Sequence, residues 1–489
     1  MFNPIRTAAL TLSLALLPCH MEMFAQQSSR IEHITEFYRQ HDGFMGTAAV
    51  ARHGRIVFEK SYGYANLEQQ LPFAPDIRFP IGSLSKQFTA TAILLLQQNG
   101  KLKTSDPIAR FYNGAPASWA NISLRNLLTQ TSGIPDFDFS EAVRHGPRPP
   151  QETIQKVIAQ PLKFEPGSAY DYSNVNYVLL GIVIERASGE SYCRFLQERI
   201  FKPLRLKDTG CQWRSGLIPH SASGYRPAAT GFAPAESDDL TSISGAGSLY
   251  STTRDLIRWT SALHGGRVLN PSSLKEMTTP FLNGYAYGLE VDGSERIGHN
   301  GVIDGFYSAV DYLPKTRTIV LVLSNVSSDR NQGSPGAFAM ETELMESVID
   351  KHSILPSEGK ELSFPVEILH RFVGRYKAAD SHNPMSFEIS LNGDHLFLRL
   401  DGSDNSPVQL RAESQFDFYL AGQEVEVDFD QLDSPVVIDY SGYTTTKFAR
   451  QREQNTSKTN PLRVPHPCHS PHSGTAHTNP AADSPAPQA

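Results

Sequence analysis

Apolar positions repeat with two different periods along this chain, and the switch between them marks the elements. Thr47–Arg52 and Arg55–Ser61 are strand-like runs flanking His53-Gly54, which predicts a β-hairpin. Pro80 then precedes a long apolar stretch from Ser83 to about Gln98, stopped by Asn99-Gly100. Ala92–Leu96 has no polar stripe, so this helix should be buried on most sides. A second helix is predicted over Asn174–Ala187, because Val175, Val178, Leu179, Ile182 and Val183 fall on one face. Ser173 is placed to cap it and Gly189 to end it. Tyr307–Tyr312 and Thr318–Leu323 read as strands joined by residues 313–317, and Phe338–Lys351 as a closing helix. Strands therefore stand at both ends of residues 30–353 with helices between. That order predicts one α+β domain whose first and last strands share a sheet.

A linker at 354–365 separates this domain from a different pattern. Residues 366–451 carry short runs at Phe387–Leu391, His395–Leu400, Val408–Arg411, Phe416–Leu420, Val425–Phe429 and Val436–Tyr440, each bounded by turn residues. They predict a small all-β barrel or sandwich. Residues 452–489 hold almost no core formers and are expected to be a disordered tail, its His466, His469, His472 and His477 solvated. At the other end, Arg6 flanks a ten-residue apolar stretch, Ala8–Leu17. A helix of that length covers about half a bilayer core. Residues 1–25 are thus expected to be a signal peptide, cleaved after Ala25, giving a periplasmic or secreted protein with no membrane span in the mature chain.

Composition narrows the function classes. Hydrophobic residues make up 39% of 489, enough for a core through much of the chain, so wholesale disorder is excluded. Forty-four basic against 51 acidic residues give a net charge of −7 with no basic run, which argues against nucleic-acid binding. There is no Cys-x-x-Cys and no His-Glu-x-x-His, so no metal or nucleotide cofactor is expected. Beyond the leader, Cys193, Cys211 and Cys468 are an odd set, and Cys193 and Cys211 are expected as two separate thiols.

Candidate chemistry begins with Ser-x-x-Lys. On a helix the two residues share a face, so the amine reaches the hydroxyl. Backbone N–H groups at the helix start can hold an oxyanion. Three copies occur, at Ser83–Lys86, Ser272–Lys275 and Ser357–Lys360. Only the first opens a long apolar helix that would fix the serine and exclude water. Tyr172-Ser173-Asn174 lies just before the second helix, and His299-Asn300-Gly301 shortly before the Tyr307 strand. Each pattern is common alone, and their order and contexts together are not.

On these blocks, with Leu127-Leu128-Thr129-Gln130-Thr131-Ser132-Gly133-Ile134-Pro135 and Gly247-Ser248-Leu249-Tyr250-Ser251-Thr252, the chain resembles the serine β-lactamase and penicillin-binding protein superfamily, in its class C-like branch. The resemblance covers about residues 30–350. It implies an antiparallel sheet flanked by helices plus a helical lobe, and a lipocalin-like β domain behind it. It implies Ser83 as nucleophile, Lys86 as its cationic partner and Tyr172 as general base. Asn174 would orient the substrate amide, with His299 and Gly301 on the strand beside the site. The backbone N–H groups of Ser83 and Val302 would form the oxyanion hole. For Tyr172 to work as phenolate at neutral pH, Lys86 must lower its pKa by about three units, roughly 4 kcal/mol.

Two departures from the family pattern matter. His299 stands where many members carry Lys-Thr-Gly, and a histidine is mostly neutral at pH 7. Strong capture of a substrate carboxylate is therefore not expected, which favours the esterase and peptidase members. Ser403-Asp404-Asn405 spells a class A motif but lies in the β module and reads as a turn. The expectation is an exported serine hydrolase of esters or amides, with small molecules or D-amino-acid peptides of peptidoglycan as substrates. A class C-like β-lactamase and a non-turning-over peptidoglycan sensor are the alternatives. The β domain is expected near the cleft, restricting access.

Overall fold

The computed structural model describes residues 29–451, except 41–42, 145–147, 212–217, 229–230, 237–238, 328–334, 350–363, 380–384, 402–406, 413–416, 421–424, 430–435 and 440–443. The leader, the Ser357–Lys360 pair, Ser403-Asp404-Asn405, Cys468 and the tail lie outside the described residues.

The first hairpin is β1 (Gly46–Arg52) and β2 (Arg55–Tyr62), with His53 and Gly54 at positive φ in its turn. Near the end of the domain come β3 (Glu290–Asp292), β4 (Arg296–Ile303), β5 (Phe306–Leu313) and β6 (Thr318–Ser324). They form one antiparallel sheet in the order β2-β1-β6-β5-β4-β3. β1 pairs with β6 from Gly46↔Ser324 to Arg52↔Thr318, so the ends of the domain do close on each other.

Side-chain alternation on these strands builds two cores. Ala49, Ala51, Ile319, Leu321 and Leu323 face a large core shared with α2 (Ser85–Gln98) and α3 (Asn174–Ser188). Ala48, Val50, Val320 and Val322 face a second core with α1 (residues 29–40) and α5 (Pro335–Ile349). α4 (Thr253–His264) lies between them in sequence and packs on the first core through Leu256, Ile257, Trp259 and Leu263. α1 went unpredicted although Ile31, Ile34 and Tyr38 have helical spacing. α5 begins three residues earlier than the pattern suggests.

Cys193 and Cys211 are free thiols, as expected. α3 ends as read, with Gly189 in the left-handed region. Its start differs: Ser173 occupies the capping position, but its buried hydroxyl has no hydrogen-bond partner. Asp136 caps instead, accepting from the Val175 N–H at 3.3 Å.

The C-terminal module is a closed barrel of eight antiparallel strands. They are β7 (Gly374–Ala378), β8 (Ser386–Asn392), β9 (His395–Leu400), β10 (Val408–Ala412), β11 (Asp417–Leu420), β12 (Val425–Asp428), β13 (Val436–Asp439) and β14 (Thr444–Arg450). Closure by β7 pairing with β14 removes both sheet edges. Phe372, Tyr376, Phe387, Phe418, Phe429 and Phe448 fill the interior. The Arg411 guanidinium of β10 lies 5.2 Å from the Phe37 ring centroid of α1. That contact is on the sheet face opposite α2, so it offers nothing to the expectation that the barrel narrows the cleft.

Candidate active site

Ser83 sits in a short 3-10 turn, Gly82–Leu84, that runs directly into α2. The turn is pinned from both sides. Ile81 N–H donates to Leu249 O at 3.0 Å, and Ser308 Oγ donates to Ile81 O at 3.0 Å. Gly301 on β4 is required here, because a Cβ at that position would fall 2.3 Å from Ile81 O and 2.8 Å from Ser83 N. Gly82 holds φ +48°, and a Cβ on it would stand 3.1 Å from Val302 N. The Ser83 and Val302 nitrogens thus line one narrow seam between the turn and β4. The Val302 side chain packs toward the α1/α5 core, so only its backbone is offered to the seam. β3 pairs with β4 only at Arg296–Gly298, which leaves the outer edge of β4 without a strand neighbour from His299 onward among the described residues.

One turn along, Lys86 is fully buried and its ammonium is completely engaged. Nζ donates to Ser83 Oγ, Asn174 Oδ1 and Ala246 O, each at 2.9 Å. Burial drives its pKa down to about 7, against a smaller upward pull from Asp136. An amine titrating there exists in quantity as the free base at neutral pH.

Tyr172 reaches the same oxygen, its hydroxyl donating to Ser83 Oγ at 2.9 Å. The segment before α3 is clamped by Gln130, a non-glycine residue at φ +58°. Gln130 O accepts from Asp171 N–H at 3.0 Å, and its side-chain Oε1 accepts from Ser173 N–H at 3.2 Å and Asn176 Nδ2 at 2.6 Å. The phenolate expected for Tyr172 is not what this arrangement favours. Burial pushes the phenol well above its ordinary value, outweighing the Ser83 hydrogen bond. The Lys86 protons go elsewhere, and Nζ lies 4.9 Å from the Tyr172 ring centroid, over the ring. Tyr172 rests as a neutral phenol.

Asn174 is likewise more committed than expected. Its Oδ1 accepts from Lys86 and its Nδ2 donates to Asp136 Oδ2 at 3.0 Å, leaving one N–H for a substrate. Asp136 was missed by the sequence reading, which ended its block one residue earlier at Pro135. Its carboxyl, raised by burial, also accepts from Phe137 N–H at 3.0 Å. It is the charge behind Lys86.

His299 is 2% exposed and lies inside β4, on a strand as the resemblance implies. Its Nδ1–H donates to Asn300 O, so Nε2 accepts from the Tyr285 hydroxyl at 3.1 Å. Burial, then Lys86, lowers its pKa to about 3, so the ring is neutral. Tyr285, also unpredicted, stands edge-on to both Tyr172 and His299, with centroids 6.0 and 5.8 Å away. The structure therefore gathers Ser83, Lys86, Tyr172, Asn174, His299, Gly301 and Val302 around one serine hydroxyl, with a buried amine and a phenol both bonded to it. Such a site can form and resolve an ester on Oγ. Among the described residues, no group of three or more His, Cys, Asp or Glu is placed to hold a metal ion. No helix there is long and apolar enough to cross a membrane.

Comparison with known proteins fits this geometry. The family model described as Beta-lactamase matches residues 32–339. A penicillin-binding protein of Bacillus subtilis (strain 168) is 30% identical over 418 residues, covering 79% of this chain and 90% of that protein. The solved D-amino acid amidase of Ochrobactrum anthropi SV3 in complex with D-phenylalanine has a TM-score of 0.58 and 28% identity, covering 65% of this chain and 99% of the other. The octameric penicillin-binding protein homologue from Pyrococcus abyssi shares the fold, with TM-score 0.61 and 23% identity over 86% of this chain and 99% of its own.

Proposed function

The chain belongs to the Beta-lactamase family, within the wider superfamily of serine hydrolases that includes the penicillin-binding proteins, and on that premise we propose that it is an exported hydrolase of amides or esters acting through an acyl-enzyme on Ser83. The observation that carries the reading is the shared hydroxyl: Lys86 Nζ and Tyr172 Oη each lie 2.9 Å from Ser83 Oγ.

In this mechanism the free-base form of Lys86 takes the Oγ proton while its remaining N–H groups hold Asn174 and Ala246. Oγ attacks the carbonyl carbon, and the developing oxyanion is received by the Ser83 and Val302 N–H groups. Tyr172 gives its proton to the leaving group as the carbonyl re-forms, and the Lys86 ammonium, the phenol's fellow neighbour at Ser83 Oγ, restores it. Amine and phenol are then both neutral, and water is activated the same way for deacylation.

His299 supports the choice of substrate class. A neutral imidazole offers no permanent charge to a substrate carboxylate, so amides and esters lacking that group are favoured over carboxypeptidase substrates and β-lactams. The D-amino acid amidase similarity points to D-amino-acid amides. Export rests on the leader-like residues 1–25.

The test treats residues 26–451 with a fluorophosphonate and maps the adduct by mass spectrometry. It then compares D- and L-amino-acid amides, p-nitrophenyl esters, D-Ala-D-Ala peptides and a chromogenic cephalosporin. Label on Ser83 with turnover of D-amides or esters is expected. Label elsewhere overturns the site, and one acylation per chain without turnover overturns the hydrolase in favour of a sensor.

A further inference from the structure

Away from the cleft, the molecule has a cavity of about 1200 Å³ at the turn ends of the sheet, walled by α4, the β1–β2 and β5–β6 turns and the residues after helix Lys202–Leu204. Five arginines line it: Arg205, Arg254, Arg258, Arg267 and Arg317. No aspartate or glutamate does, although the chain as a whole carries a net charge of −7. The sign of the surface is locally reversed, and concave walls concentrate the field of fixed charges.

Local ion pairing consumes only part of this charge. Arg254 pairs with Glu59 at 3.2 Å and Arg258 with Asp255 at 3.4 Å, both carboxylates lying outside the lining. Arg258 also donates to Arg205 O at 2.7 Å, which fixes the chain path there. Arg205, Arg267 and Arg317 have exposed side chains and no acidic partner among the described residues. Backbone geometry adds a second sign. Arg205 at φ +56°, Arg317 at φ +50° and His53 at φ +50° all line the cavity, three of the seven non-glycine residues at positive φ among the described residues. Left-handed backbone of this kind is unfavourable for residues that carry a side chain. One wall is flat: the His264 ring stacks on Tyr312 with centroids 4.2 Å apart and planes 8° from parallel. In the same wall, the buried Ser261 Oγ has no hydrogen-bond partner.

From this cluster we infer that the cavity is a second binding site, for a soluble chain bearing several phosphate groups. Guanidinium forks match phosphate oxygens in paired hydrogen bonds, and three forks without an acidic partner among the described residues ask for more than one phosphate. The Tyr312–His264 face and the apolar neighbours Ile56 and Leu204 suit the uncharged stretches between phosphates. A bilayer surface presents the same phosphates on a plane, whereas a soluble chain can follow concave walls. The ligand would anchor this protein beside a polyanionic polymer while Ser83 works elsewhere on the molecule.

The experiment is isothermal titration calorimetry of the full chain with sodium tripolyphosphate, with inorganic phosphate as the monovalent comparison. The probe should bind saturably at one site, more tightly than phosphate, and more weakly as salt is raised. The triple variant Arg205→Gln, Arg267→Gln, Arg317→Gln should lose at least about tenfold in affinity. It should keep the parent's thermal midpoint and its turnover of a p-nitrophenyl ester, since none of the three is hydrogen-bonded to Ser83, Lys86 or Tyr172. Equal affinity in the triple variant, or no saturable heat to about 1 mM tripolyphosphate, overturns the site. Sedimentation with phosphatidylglycerol vesicles is the second arm. Arginine-dependent vesicle binding without tripolyphosphate binding overturns the soluble-chain reading.

Discussion

Lys86 and the arginine cavity both gather positive charge, and their surroundings put that charge to opposite uses. Lys86 is fully buried with all three ammonium protons engaged, and burial brings its pKa to about 7. Arg254 and Arg258 in the cavity remain about half exposed. A buried ammonium that can give up its proton becomes a base, whereas a guanidinium stays charged in any protein environment and can only bind. An amine that can shed its proton, and its removal from water, together separate the reactive cation from the holding ones here.

The largest effect expected from breaking this contrast is at the oxygen both cleft groups share. Ser83→Ala should lower turnover of a D-amino-acid amide at least about 10⁴-fold while leaving tripolyphosphate binding intact. Lys86→Arg tests the contrast directly, since it keeps a charge that cannot be shed. Activity should fall about 10³-fold, and the rise of kcat/KM through pH 7 should vanish. The same amine has a signature in stability. Its folded pKa of about 7 lies below the ordinary 10.5, so between those values the unfolded chain holds a proton that the folded chain has released. Stability should therefore rise with pH from about 7 to 10.5, at up to about 1.4 kcal/mol per unit, in the parent and not in Lys86→Met. Chemical denaturation across that range checks it. Tyr172→Phe should cost about 10²–10³-fold on amides and less on p-nitrophenyl esters, whose leaving group needs no proton. The smallest effect is at Asp136→Asn. Loss of the charge behind Lys86 should move the midpoint of the pH–rate curve downward, and the weakened cap of α3 should cost about 1 kcal/mol in denaturant unfolding.

Much of this was legible in the residues, and the omissions have physical causes. The hairpin, α2, α3 and the last strand pair showed themselves because burial on one or both faces imposes a period on apolar residues. Ser83 and Lys86 were readable from helix geometry, and Tyr172 from the ordered blocks that carry the family resemblance. Asp136 carries no period; it sits in a loop and matters only because the fold swings α3 over it. His299-Asn300-Gly301 looks like a turn locally, and only the approach of Ile81 and Ser83 explains a glycine inside β4. The roles of Tyr172 and Asn174 depended on where three lysine protons point, which spacing cannot tell. In the barrel, β7 and β14 were missed because Gly374–Ala378 and Thr444–Arg450 mix charged and polar residues with few apolar ones. The arginine cavity was invisible for a related reason: its five members come from three separate stretches of chain, so no basic run exists.

The central claim is that a nearly neutral Lys86 amine activates Ser83, and the rate of fluorophosphonate labelling against pH tests it most directly. The account predicts an adduct on Ser83 whose rate rises with pH to a plateau, with a midpoint near 7. A midpoint near the ordinary lysine value of 10.5, or a rate indifferent to pH, would contradict it.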